Sequence, residues 1–143
     1  MAQTSIESDA AIAIVRQNTE EIQSKGNFTI FDDLWSDDFI DHTPQPGTTP
    51  DKAGVLILYH ALHEAFPDFH ADIKWQSASG NLVTTFKIYH GTQKGPIFGV
   101  PPTGKIVEFE TVDVMRVVDN KITEHWGVAN LLKMMQQIGA IKL

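Results

Sequence analysis

Cysteine is absent from the 143 residues of this chain, which excludes disulfide staples, thiolate nucleophiles and any metal centre built on sulfur. Basic residues are few: 11 Lys and Arg stand against 18 Asp and Glu, leaving a net charge of −7. Nucleic-acid binding needs clustered Lys and Arg to neutralise phosphates, and here they are scattered, so no nucleic-acid partner is expected. Long apolar runs are missing too. Stretches such as Val55-Leu-Ile-Leu58 are far too short to cross a bilayer, so no membrane partner is expected. The opening Met1-Ala-Gln-Thr-Ser-Ile-Glu-Ser8 has neither the basic start nor the apolar stretch of a secretory signal, and the expectation is a cytoplasmic protein. No Gly-x-Ser-x-Gly turn, no glycine-rich phosphate loop and no His-Glu-x-x-His arrangement occurs. His60 and His63, three apart, do not make a metal site by themselves, and the Asp32, Asp33, Asp37, Asp38 and Asp41 cluster lacks the spacing of a calcium loop. These aspartates read as caps and solvated turns, and no metal is expected.

What is present is an ordinary hydrophobic fraction of 42 % in a length that suits one domain, residues 1–143, with a real core and a small pocket. Ile12, Val15, Thr19 and Ile22 form one apolar stripe, which predicts a helix over Ser8 to Lys25. Asn27 or Thr29 caps a short second helix through Trp35, and Asp38 to His42 reads as a brief strand before a proline loop. Thr49-Pro50-Asp51 reads as an N-cap with proline at the first helical position, opening a third helix that carries Val55, Leu58, Tyr59, Leu62 and Phe66 and ends at Pro67. Ala71–Ser77, Leu82–Gly91, Ile106–Val118 and Lys121–Val128 are rich in β-branched and aromatic residues and predict four strands of one antiparallel sheet. Leu131 to Ile138 closes the chain as a short helix. Helices followed by a meander imply an α+β fold with helices packed on one face of a curved sheet.

The strand from Val107 to Val117 places Asp113 in an apolar row with Phe109 and Met115. If Asp119-Asn120 is a two-residue hairpin turn, Asp113 lies opposite Trp126 with Glu124 one pair away, and His125 falls on the other face unless a bulge intervenes. A carboxylate among apolar groups has its ionised form desolvated, so a raised pKa is expected for Asp113. His63 flanks the buried face of its helix, His42 ends the first strand, and Phe98 sits in a stiff Gly/Pro loop that could line a pocket mouth. His60 and His70 look peripheral. Val112, Val114 and Val118 on the other face of the same strand suggest a homodimer.

Four segments carry a family resemblance: Asp38-Phe-Ile-Asp-His42, Ala65-Phe-Pro-Asp-Phe-His70, Gly99-Val-Pro-Pro-Thr-Gly-Lys105 and Asp119-Asn-Lys-Ile-Thr-Glu-His-Trp126. In this order, from about Ile12 to Gly139, they resemble the SnoaL-like polyketide cyclase (ester cyclase) family of the NTF2-like superfamily. The resemblance implies a cone-shaped barrel, with three N-terminal helices closing a strongly curved antiparallel sheet around a pocket. It implies cofactor-free acid/base catalysis of an intramolecular aldol condensation on a small apolar or aromatic carbonyl ligand. The family's carboxylate soon after the tryptophan is replaced here by Gly127 and Asn130, leaving Asp113 and Glu124 as candidate acids or bases and His42 and His63 as donors. Trp126, Phe109, Tyr59, Phe98, Met115, His125 and Asn130 are the candidate ligand contacts. A non-catalytic binding domain that has lost the acid/base group is the alternative, and an isomerase or epoxide hydrolase on the same scaffold is a third reading.

Overall fold

The computed structural model describes the backbone of residues 2–142 and the side chains of residues 6–142; Met1 and Leu143, the ends of the expected domain, lie outside them. Helix α1 (Ala2–Gln17) runs directly into a π-helical turn, Asn18–Ser24. The wider π turn brings Asn18 and Gln23 to the buried side alongside Thr19 and Ile22, so two amides enter the interior that a strict apolar stripe would leave out. A 3₁₀ turn, Phe28–Ile30, leads into α2 (Phe31–Leu34), and neither Asn27 nor Thr29 caps it: Thr29 Oγ1 donates to Asn27 Oδ1 instead, at 2.6 Å. Helix α3 (Lys52–Ala65) starts two residues later than its proline suggests. Its cap is Asp51, whose carboxylate accepts from the Gly54 N–H, while Thr49 Oγ1 donates to that same carboxylate. Helix α4 (Leu131–Gln137) is capped in the same way by Asn130.

The sheet has five strands, not four: β1 (Trp35–Asp41), β2 (His70–Ser79), β3 (Leu82–Thr92), β4 (Ile106–Val118) and β5 (Lys121–Ala129), in the order β1-β5-β4-β3-β2. The segment expected as a brief strand starts earlier, and it pairs in parallel with β5. Its odd-numbered row runs Trp35, Asp37, Phe39, Asp41; the two aromatics are buried, which holds this edge strand to the core and leaves Asp41 at its inner end.

The β4–β5 hairpin has Asp119 and Asn120 both at positive φ, 51° and 62°, as a type I′ turn requires, and Val118 faces Lys121 as expected. The pairing then slips. Val117 faces Ile122, but Arg116 faces Glu124, so Thr123 is an extra residue in β5. That bulge moves every later residue of β5 by one: Met115 faces His125, Val114 faces Trp126 and Asp113 faces Gly127. His125 thereby joins the inner face, while Trp126 and Glu124 pass to the outer one, reversing the register expected from an unbroken hairpin.

Two apolar clusters fill the concave side. Val15, Ile22, Trp35, Val55, Tyr59 and Met115 belong to one, and Leu62, Phe66, Phe69, Tyr89, Phe109 and Met134 to the other. Leu58, expected in or near the core, is half-buried against the second cluster.

Candidate functional site

A cavity of about 80 Å³ opens between the two clusters, several times the space one water needs. Trp35, Val55, Leu58, Tyr59 and Leu62 wall it from one side, Phe109, Thr111 and Met115 from β4, and Leu131 and Met134 from α4. Phe98 stands at its edge with φ of 47°, in the segment between β3 and β4. That segment is wired to one buried side chain. The Gln93 amide donates to the carbonyls of Gly95, Val100 and Pro101, and its Oε1 accepts from Thr103 N–H and Oγ1. The neighbouring Ile97 is buried in the second cluster, so of the loop's apolar residues Phe98 is the one placed on the cavity wall.

Charge enters this otherwise apolar chamber along a single line of contacts. His125 Nδ1 donates to Asp41 Oδ1 at 2.8 Å, and His125 Nε2 donates to Asp113 Oδ1 at 2.8 Å. The second Asp113 oxygen meets Lys87 Nζ at 2.6 Å, and Lys87 also donates to Gln23 Oε1 at 2.8 Å. The Gln23 amide in turn donates to the Tyr89 hydroxyl at 2.9 Å. Lys87 is 1 % exposed, so its ammonium has no water to replace Asp113. Asp41 uses the same Oδ1 to accept from the Thr43 N–H and hydroxyl. Its Oδ2 has no hydrogen-bond partner among the described residues.

This geometry sets the protonation states. Burial alone would push the His125 imidazole down, but its hydrogen bonds to Asp113 and Asp41, and their charges, outweigh it and lift the pKa to about 9. His125 is an imidazolium at neutral pH. Burial would raise Asp113, yet the Lys87 charge and the His125 hydrogen bond and charge hold its carboxyl well below the usual range, so the expected upward shift is reversed. Desolvation likewise opposes ionisation of Asp41, and the His125 contact overcomes it to leave the group lowered.

Gly127 makes this arrangement possible. A Cβ at that position would lie 2.6 Å from Asp113 Oδ1 and 2.7 Å from His125 Nε2, so the Asp113 carboxylate occupies space that any side chain at 127 would claim. The Gly127 N–H donates to Thr43 Oγ1 at 2.8 Å, tying β5 to the turn that follows Asp41.

Of the residues singled out from sequence, Asp113, His125, Tyr59, Phe109, Met115 and Phe98 line the cavity. The others lie elsewhere. Glu124 is on the outer sheet face, bonded to Arg116 at 2.8 Å and to His42 at 2.9 Å, and His42 stacks on Trp126 with ring centroids 4.5 Å apart. The bulge at Thr123 is the physical reason. His63 packs against Phe28 and Phe69 and bonds the Gln23 carbonyl at 2.7 Å, sealing the π turn behind the cavity. Asn130 caps α4 and bonds Glu110. Asp41, Lys87 and Gln23 escaped the sequence reading. Asp41 could have been found from its inward parity with Trp35 and Phe39, and Lys87 from its place between Thr85 and Tyr89 in a row of buried residues.

The profile of the SnoaL-like polyketide cyclases matches residues 13–138, nearly the whole chain. The protein belongs to the SnoaL-like polyketide cyclase family. A curated relative is the nogalonic acid methyl ester cyclase of Streptomyces nogalater, 26 % identical over 105 residues that cover 63 % of this chain and 78 % of that one. Among solved structures, wild-type IdmH of Streptomyces antibioticus, described as a candidate polyketide cyclase, is 28 % identical with a TM-score of 0.79 over 90 % of this chain and 98 % of its own. AclR of Streptomyces galilaeus, described as a candidate hydroxylase, superposes with a TM-score of 0.81 at 24 % identity, covering 92 % of this chain and 97 % of that one. The family fold is the NTF2-like cone, here a curved sheet wrapped on its helices.

Proposed function

We propose that this SnoaL-like protein is a cofactor-independent cyclase that closes a ring by intramolecular aldol addition within a small, largely apolar carbonyl ester. The observation that carries the reading is the imidazolium of His125 held between two carboxylates at the wall of an apolar cavity. An aldol step needs a base for the proton alpha to one carbonyl and an acid for the oxygen of the other. Asp41 is the better base of the pair, because one cation faces it and its Oδ2 is uncommitted, whereas both Asp113 oxygens are taken. Asp113 and Lys87 keep His125 charged and fix its ring.

In this scheme Asp41 Oδ2 takes the alpha proton, and the enolate carbon attacks the second carbonyl carbon to form the new C–C bond. The alkoxide that results takes a proton from His125. The proton given up is the one on Nδ1, and the Asp41 carboxyl, once it turns its protonated oxygen to the ring, returns a proton to Nδ1, restoring both groups with no net gain or loss. The relative in Streptomyces nogalater is named for a methyl ester, which supports an ester of that kind as substrate. A purely binding role leaves the burial of four charged groups beside the cavity without a use.

We also assign a homodimer formed through the outer sheet face, where Val112, Val118 and Val128 are exposed. Turnover of a linear polyketide methyl ester by wild type, with Asp41→Asn and His125→Gln each at least about 100-fold slower, is the expected result. Equal turnover by either variant would overturn the assignment.

A further inference from the structure

We propose that a second site, on the outer sheet face and away from the cavity, binds a borderline divalent cation such as Zn²⁺ through His70, Asp72 and His90. Linear spacing hides it. His70 and Asp72 alternate on β2, and strand pairing sets His90 of β3 directly opposite His70, making a cross-strand histidine pair that no sequence motif records. One donor atom from each of the three residues lies within 4.8 Å of the others. Tetrahedral zinc with N and O ligands spaces its donors about 3.3 Å apart, so the 2.8 Å approach of Asp72 to His90 opens slightly and the wider donor separations close, adjustments that rotation of the exposed His70 and Asp72 side chains can supply.

Two details point to a cation in preference to a simple ion pair. His90 Nε2 is buried and lies 2.8 Å from Asp72 Oδ2, yet it makes no hydrogen bond, because the contact is out of line. The His90 nitrogen is thus left without a hydrogen-bond partner beside a carboxylate, and a cation would satisfy both. At His70 the Nδ1 donates to the Asp68 carbonyl at 3.0 Å, which sets the tautomer and leaves Nε2 with its lone pair free. The Asp68 carboxylate is held in turn by the Thr92 N–H and hydroxyl, so the support is itself anchored. Glu108 pairs with His90 from β4, adding a negative charge on the same face. Two imidazoles and a carboxylate suit Zn²⁺ better than Mg²⁺ or Ca²⁺, which prefer all-oxygen sites. A bound ion would clip the edge strand β2 to β3.

The test is calorimetric titration of Zn²⁺ into chelator-treated, dialysed full-length protein. We expect one saturable ion per chain, at least about tenfold weaker binding in His70→Ala and in Asp72→Asn, and unchanged binding in His60→Ala. His70 and Asp72 are exposed, so both variants test the site without disturbing the core. Zinc should raise the Tm of wild type and leave that of His70→Ala unmoved. No saturable binding, full binding in His70→Ala, or binding abolished by His125→Gln but kept in His70→Ala would each overturn the assignment.

Discussion

His125 Nε2 meets Asp113 Oδ1 at 2.8 Å because Thr123 is an extra residue in β5, turning His125 to the concave face while the partner strand runs unbroken. Were Thr123 paired with Arg116 in an unbroken ladder, His125 would lie opposite Val114 and face outward. The inner charge line, Asp41–His125–Asp113–Lys87, depends on one bulge and on one glycine, Gly127, opposite Asp113.

Gly127→Ala should therefore damage the site with little effect on the fold. Its methyl would press on both Asp113 and His125, forcing them apart. The expected outcome is a fall in the His125 pKa toward its ordinary value, read by NMR of the imidazole, and a parallel loss of turnover.

Stability should depend on pH through the same residues. The His125 pKa is raised to about 9, so its contribution is complete below the unfolded value of about 6.5 and is lost as pH rises toward 9. That limb is worth at most about 3 kcal/mol. Asp41 and Asp113 are lowered, so their share is present above about pH 4 and is lost as pH falls below it. Thermal melts should show Tm falling between pH 6.5 and 9 in wild type, and His125→Gln should flatten that limb.

Asp113→Asn should cost stability as well as activity. It leaves the Lys87 ammonium, 1 % exposed, without its carboxylate, a loss of about 3–5 kcal/mol. The double variant Asp113→Leu with Lys87→Met should recover much of that stability in urea melts while remaining inactive, which separates the structural share from the functional one.

The fold was legible in the sequence because it rests on periodicity. The long strands β3 and β4, the helix carrying Val55, Tyr59 and Leu62, and the Asp119-Asn120 turn are local patterns, and local patterns survive folding. The site was legible only in part. Asp113 is conspicuous as a carboxylate in an apolar row, but its partner Lys87 lies on β3 and Asp41 on β1, and nothing in the linear chain joins them. Thr123 carries no bulge signal such as a glycine, so the alternation that placed Trp126 opposite Asp113 had no local reason to break. The π turn at Asn18–Ser24 is equally silent, and it is what delivers Gln23 to Lys87.

Assembly is testable apart from chemistry. Light scattering at micromolar concentration should report twice the chain mass, and Val112→Glu with Val128→Lys on the exposed sheet face should shift it to one chain. A monomeric wild type would remove the dimer assignment.

Phe98 should govern entry. With 40 % of its surface exposed and a strained backbone, it borders the cavity from a loop that Gln93 holds in place. Phe98→Ala is expected to raise KM by about tenfold with a smaller change in kcat, because it removes binding area without touching the charged groups.

The most direct test is ring closure itself, followed by mass spectrometry and NMR of the product from a linear polyketide methyl ester, with wild type and His125→Gln compared at pH 7. The expected result is a cyclised isomer of unchanged mass from wild type, formed at least about 100-fold more slowly by His125→Gln. No cyclised product from wild type, or equal rates from the two proteins, would contradict the role of the imidazolium between Asp41 and Asp113.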